Sequence, residues 1–139
     1  MDETLRQTVE ALLKIILTIV LSGLIGIERY LNHKGAGMRT HILLGVGSTL
    51  LVLTSYYVFD IYKSVNPGDP SRVIAAIVTG IGFLCAGAII RTGDSVTGLT
   101  TSASLWIVAC IGIAVGAGYW LPAVAVTFIV FWVLLTGFF

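Results

Sequence analysis

Apolar residues run along this chain in five blocks separated by short polar stretches, and each block is long enough to cross a lipid bilayer as a helix. The blocks predict spans over about 9–27, 41–59, 72–90, 99–118 and 121–138. The first begins amphipathically, with Arg6, Glu10 and Lys14 at i, i+4 spacing along one face. Thr18, Ser22 and Gly26 then form a row of small residues one turn apart, the spacing that lets two helices approach closely. Span two ends in Tyr56, Tyr57 and Phe59, an aromatic belt suited to a membrane interface. Before span three, Asp69 stands as N-cap, Pro70 as first helical residue and Arg72 as flanking charge, so Asp69 and Arg72 cap that helix. Span four carries Gly112 and Gly116 as a GxxxG, with Cys110, Ala114 and Gly118 on an adjoining row. A tight turn from Gly118 to Pro122 leads into span five.

Two readings stand for the Thr/Ser-rich stretch from Thr92 to Ser104. In a continuous helix each hydroxyl bonds the carbonyl one turn back. Alternatively Gly93 and Gly98 break the start of span four, whose irregular backbone then lines a polar pocket. A weak internal echo is also visible: Gly37-Met38-Arg39-Thr40 opens span two and Gly98-Leu99-Thr100-Thr101 opens span four. Two hairpins of equal orientation make a parallel repeat.

Composition sets the class. Hydrophobic residues make up 57% of the 139 positions and charged residues 11%, with mean hydropathy +1.00. A soluble domain carries roughly 25% charged residues. Of 16 glycines, 11 fall inside the apolar runs, where they let helices pack closely in a medium that supplies no hydrophobic drive between them. The expected fold is therefore an all-α membrane protein, a single domain of five transmembrane helices packed through small residues. The packing positions are Gly23, Gly26, Gly80, Gly82, Gly87, Gly112 and Gly116. More glycine rows exist than five helices can satisfy among themselves, which predicts a homodimer with Gly112 and Gly116 as one seam.

Charge then locates the candidate chemistry. With the amino end outside, Arg29, Lys34, Arg39 and Arg91 fall inside, against Arg6, Lys14, Lys63 and Arg72 outside. The outer bases each lie near an acid (Glu10, Asp60, Asp69), and the basic density over 29–39 favours a cytoplasmic first loop and a cytoplasmic C-terminus. Glu28, Arg29, Arg39, Thr40, Arg91, Asp94 and Thr100 all gather at the presumed cytoplasmic helix ends. One reading joins them in a polar cluster, Glu28 and Asp94 neutralising Arg39 and Arg91 across the two hairpins. The other has each span anchored at the interface by its own flanking charges. No cleavable signal peptide is expected, because acids and bases precede a first run long enough to span. Cys85 and Cys110 read as buried small hydrophobes, and Trp106, Trp120 and Trp132 as interface or packing groups. No nucleophile–base pair, metal spacing, phosphate loop or nucleic-acid platform is recognisable; His33 and His41 stand without a partner acid. No enzyme, cofactor, resident metal or nucleic-acid partner is expected. Asp60 and Asp69 offer at most a weak, water-mediated magnesium site on the outer face.

Five stretches, in order, resemble the membrane domain of the MgtC/SapB family of bacterial inner-membrane proteins. They are Gly23-Leu-Ile-Gly-Ile-Glu-Arg29, Gly37-Met-Arg-Thr-His41, Asp69-Pro-Ser-Arg72, Thr79-Gly-Ile-Gly-Phe-Leu-Cys-Ala-Gly-Ala-Ile-Ile-Arg91 and Ser95-Val-Thr-Gly-Leu-Thr-Thr-Ser-Ala-Ser-Leu-Trp106. Cys85 departs from the pattern, which usually has glycine there. Many members continue into a cytoplasmic ACT-like domain beyond the point where this sequence stops, so the chain is either a short form or part of a longer protein. The resemblance implies support of bacterial growth at low magnesium and of survival inside host phagocytes. It further implies that this works by regulating other membrane machinery, the rotary ATP synthase included. Transport of magnesium, or a channel for it, is the competing function. A transporter needs a substrate site near the bilayer midplane. The midsections here offer only hydroxyls and small residues: Thr18, Ser22, Ser48, Thr49, Thr79 and Thr127.

Overall fold

A computed structural model describes residues 2–137. Five helices appear in chain order: α1 (Glu3–Leu31), α2 (Met38–Tyr62), α3 (Ser71–Gly87), α4 (Leu99–Gly116) and α5 (Trp120–Thr136). The last residue expected in span five, 138, lies outside the described residues. Helices α1, α2 and α4 are long and apolar enough to cross a membrane; α3 and α5 are apolar but 17 residues each. At 1.5 Å per residue, the 29 residues of α1 reach about 44 Å, beyond a hydrocarbon core of about 30 Å, whereas α3 and α5 reach only about 26 Å.

The expectation of an all-helical chain needs one correction. Helix α3 ends at Gly87, short of the span end expected at 90, and Ile90 with the polar stretch after it forms a hairpin of β1 (Ile90–Thr92) and β2 (Ser95–Thr97). The strands pair antiparallel, Ile90 opposite Thr97 and Thr92 opposite Ser95, across a two-residue turn of Gly93 and Asp94. Glycine at the first turn position, with φ +63°, suits the backbone twist of such a hairpin. The break and the helix both exist in the stretch that had two readings. Gly98, at φ +87°, ends the hairpin, and an intact α4 starts at Leu99. A Cβ on Gly98 would lie 1.9 Å from the Ala88 carbonyl oxygen, so only glycine fits where the two ends of the hairpin meet.

Helix α4 is the central element. Its Leu105 and Ala109 join Val52, Ile77, Ile81 and Cys85 in one core cluster, tying α2 and α3 to it. Its Val108, Ile111 and Val115 join Leu21, Ile25 and Ala123 in a second, tying α1 and α5 to it. A helix apolar all round is what such a buried position requires. It ends in a Schellman turn: Gly118 is left-handed, and the Gly118 and Tyr119 amides donate to Val115 and Ala114.

Helices α1, α2 and α4 pack through small residues. A Cβ on Gly112 would stand 2.4 Å from the Gly45 carbonyl oxygen, one on Gly116 2.9 Å from Val52 Cβ, and one on Gly26 2.7 Å from Met38 Cα. Buried hydroxyls stitch the same seam: Thr18 and Thr49 are 2.7 Å apart, and Thr49 donates to the Gly112 carbonyl at 2.8 Å. The GxxxG of α4 is therefore consumed inside the protomer by α2, which removes it as a homodimer seam. Gly23 makes only ordinary contact with Ile42. Gly80, Gly82 and Gly87 do not pack as expected: nothing lies within 4 Å of a Cβ at any of them. The reason is that α3 turns Ile77, Ile81 and Cys85 inward and its glycines outward.

Candidate functional site at the loop and hairpin end

The polar residues singled out from the sequence lie where α1 and α3 end and α2 and α4 begin. Close approach at Gly26 brings the last turn of α1 against the first turn of α2. Helix α1 then closes in a Schellman turn around His33, which takes the left-handed conformation at φ +53°, while the Lys34 amide donates to the Arg29 carbonyl at 3.0 Å. This geometry buries two adjacent charged residues. Glu28 is 3% exposed and Arg29 is 4% exposed. Arg29 Nε donates to Glu28 Oε2 at 2.6 Å and Nη2 to Oε1 at 3.1 Å, while Asn32 Nδ2 donates to Oε1 at 2.7 Å. Arg29 Nη1 has no hydrogen-bond partner among the described residues.

Of the two readings, the one that pairs Glu28 and Asp94 with Arg39 and Arg91 finds no such ion pair among the described residues. The carboxylate of Glu28 is filled by its own sequence neighbour, which a two-point guanidinium contact favours over a reach between hairpins. Arg39, Thr40, Arg91, Asp94 and Thr100 are all exposed. Arg91 Nε donates to the Gly93 carbonyl at 3.1 Å, bracing the hairpin turn rather than an acid.

A residue that sequence reasoning left without a role lies at the centre. His41 is fully buried, its Nδ1 2.8 Å from the Gly37 carbonyl oxygen and its Nε2 2.9 Å from Ser104 Oγ on α4. A carbonyl only accepts, so Nδ1 carries the hydrogen. The available signal was its helical spacing with Gly45 and Ser48, which places it on the inward face of α2. The bond to Ser104 ties the first turn of α2 to the second turn of α4.

At the opposite end the charges are locally paired, Lys14 with Glu10 at 3.1 Å and Lys63 with Asp60 at 2.5 Å. Asp69 Oδ1 accepts the Ser71 amide at 2.9 Å, and Pro70 already has helical dihedrals, so the carboxylate closes the first turn of α3. The Ser71 hydroxyl and amide hold the exposed Asp69 carboxyl below its usual 3.8. Arg72 is exposed, with its amide bonded to the Asp69 carbonyl at 3.2 Å. No group of three or more His, Cys, Asp or Glu side chains that could hold a metal occurs among the described residues.

The family model described as the MgtC family matches residues 15–137. The chain belongs to the MgtC family. It is 44% identical over 114 residues to "Putative magnesium transporter YhiD" of Escherichia coli K12, covering 81% of this chain and 53% of that protein. To protein MgtC of Salmonella typhimurium LT2 it is 40% identical over 119 residues, covering 86% of this chain and 48% of that protein. The chain thus spans about half the length of these MgtC-family relatives. No solved structure matches it. Its apolar helices and its family together make it a bacterial membrane protein.

Proposed function

We propose that this chain is the transmembrane part of a bacterial inner-membrane regulator that acts on other membrane proteins and supports magnesium homeostasis, growth at low magnesium and virulence. In this reading all five helices span the membrane. The amino end is outside, and the 28–41 loop, the hairpin and the carboxyl end face the cytoplasm. The observation that carries it is the division of small residues into two sets. One set closes the α1–α2–α4 seam, which is packed to van der Waals contact and holds only hydroxyls between Lys14 and Glu28 on α1. Among the described residues, that stretch of the seam offers a cation no ionised side chain, which supports a regulator over a transporter. The other set, Gly47 and Gly80, lines an apolar groove of about 400 Å³ between α2 and α3, open to a neighbouring helix. In this reading the homodimer uses this side rather than the buried GxxxG.

The second reading, a magnesium transporter or channel, is favoured by the name that YhiD carries. Magnesium uptake into proteoliposomes containing the purified chain separates the two. The regulator reading expects flux no faster than in protein-free vesicles. Robust flux that Arg91→Ala abolishes overturns it in favour of transport.

A further inference from the structure

The geometry points to an oxyanion site, of the phosphate type, between the first turns of α2 and α4 and beside Arg29. Two helix N-termini meet here. Both N-caps, Gly37 and Gly98, are glycines without a side chain to accept from the helix, so the amides of residues 38–40 and 99–101 lack capping partners. The His41–Ser104 bond of 2.9 Å ties the first turn of α2 to the second turn of α4, so both helices start at the same end of the bundle and turn the positive ends of their dipoles that way.

The second observation is independent of the helix ends. Arg29 is 4% exposed, follows Gly26 by one turn where that glycine closes on Met38 and His41, and has both N–H groups of Nη1 unpartnered among the described residues. Glu28 takes up the Nε–Nη2 edge of the guanidinium, which leaves Nη1 on the side away from that carboxylate. A buried charged donor without an acceptor is costly, and natural folds supply one.

Charge decides what kind of acceptor. Glu28 and Arg29 cancel. Around them three exposed bases, Lys34, Arg39 and Arg91, stand against one exposed acid, Asp94. A tetrahedral oxyanion takes hydrogen bonds from amides, guanidinium and hydroxyls at once, and the exposed Thr40 and Thr100 supply the hydroxyls in those same first turns. A cation meets the wrong sign of helix dipole and a surplus of bases. The phosphate can belong to an anionic lipid headgroup or be free in solution; the donor set suits both. The inference stands apart from the choice between regulator and transporter, and a flux result leaves it untouched.

The test is thermal unfolding of the purified chain in two settings. In detergent, inorganic phosphate is titrated against chloride at constant ionic strength. In nanodiscs, phosphatidylcholine alone is compared with phosphatidylcholine containing phosphatidylglycerol. A saturable rise in Tm with inorganic phosphate supports the site and a soluble ligand. A rise only with phosphatidylglycerol supports the site and a lipid ligand. In either case Arg39→Gln combined with Thr100→Val weakens the response tenfold or more, as does Glu28→Gln combined with Arg29→Gln. Lys63→Gln at the far end leaves it unchanged. Should the Glu28/Arg29 double variant not fold, the exposed Arg39/Thr100 pair decides alone. No response in either setting, or one that the Arg39/Thr100 variant retains in full, overturns the proposal.

Discussion

Replacing Gly112 with alanine tests the packing on which the fold rests. The added methyl would sit 2.4 Å from the Gly45 carbonyl oxygen and 3.1 Å from Ser48 Cβ. The first of these is backbone and cannot swing aside. Helices α2 and α4 must part by more than half an ångström before that contact reaches 3.0 Å. Overpacking of this kind costs about 1–3 kcal/mol. Parting the helices also strains the Thr49 bond to the Gly112 carbonyl, and interhelical hydrogen bonds in membranes average about 0.6 kcal/mol. Against this, alanine gains up to about 1 kcal/mol in helix propensity. The net expectation is destabilisation of about 1–3 kcal/mol, read from reversible unfolding in mixed micelles.

The glycines then form a graded series. Gly26→Ala meets Met38 Cα at 2.7 Å and Gly116→Ala meets Val52 Cβ at 2.9 Å, so both fall between Gly112→Ala and wild type. Gly80→Ala meets nothing within 4 Å and should be neutral or gain up to about 1 kcal/mol. A Gly112→Ala protein as stable as wild type refutes the α2–α4 seam. A Gly80→Ala protein as damaged as Gly112→Ala shows instead that the α3 face is packed in the working assembly.

Gly98→Ala combines a left-handed backbone, strained by about 1–2 kcal/mol with a side chain, with a contact at 1.9 Å; membrane insertion and folded yield should collapse. Gly93→Ala has the same handedness but open space, and should lose only the strain. Truncating one partner of the buried Glu28–Arg29 pair, as in Glu28→Ala, should destabilise by about 3–5 kcal/mol. Arg39→Ala and Arg91→Ala, both exposed, should change stability by less than about 0.5 kcal/mol, and charge reversal at Glu28 should be rescued only through Arg29. The contribution of the Asp69 turn, whose carboxyl titrates below 3.8 when folded, is present above that value and lost as pH falls through the folded pKa. The Ser71 amide resonance should report this with a midpoint below 3.8, and Asp69→Asn should abolish the titration.

Much of the architecture is legible in residue pattern because apolar blocks and small-residue rows act locally. Thr18, Ser22 and Gly26 announce a close contact by spacing alone, and they make one; Gly112 and Gly116 do likewise, but spacing says nothing about which helix answers. The short hairpin was hidden for a different reason. Ile90, Thr92, Val96 and Thr97 have strand propensity, yet three-residue strands give no periodic signal, and their apolar neighbours merge with span three. At the candidate site, the sequence pattern gathers charged residues at the helix ends, and one of its two readings pairs them by symmetry between hairpins. It could not register that the crossing at Gly26 closes over Glu28 and Arg29, leaving each with the other as the nearest ionic partner. Burial made the difference. Two adjacent opposite charges on an exposed helix would diverge into water, whereas here that alternative is gone, and one guanidinium nitrogen is left without an acceptor among the described residues.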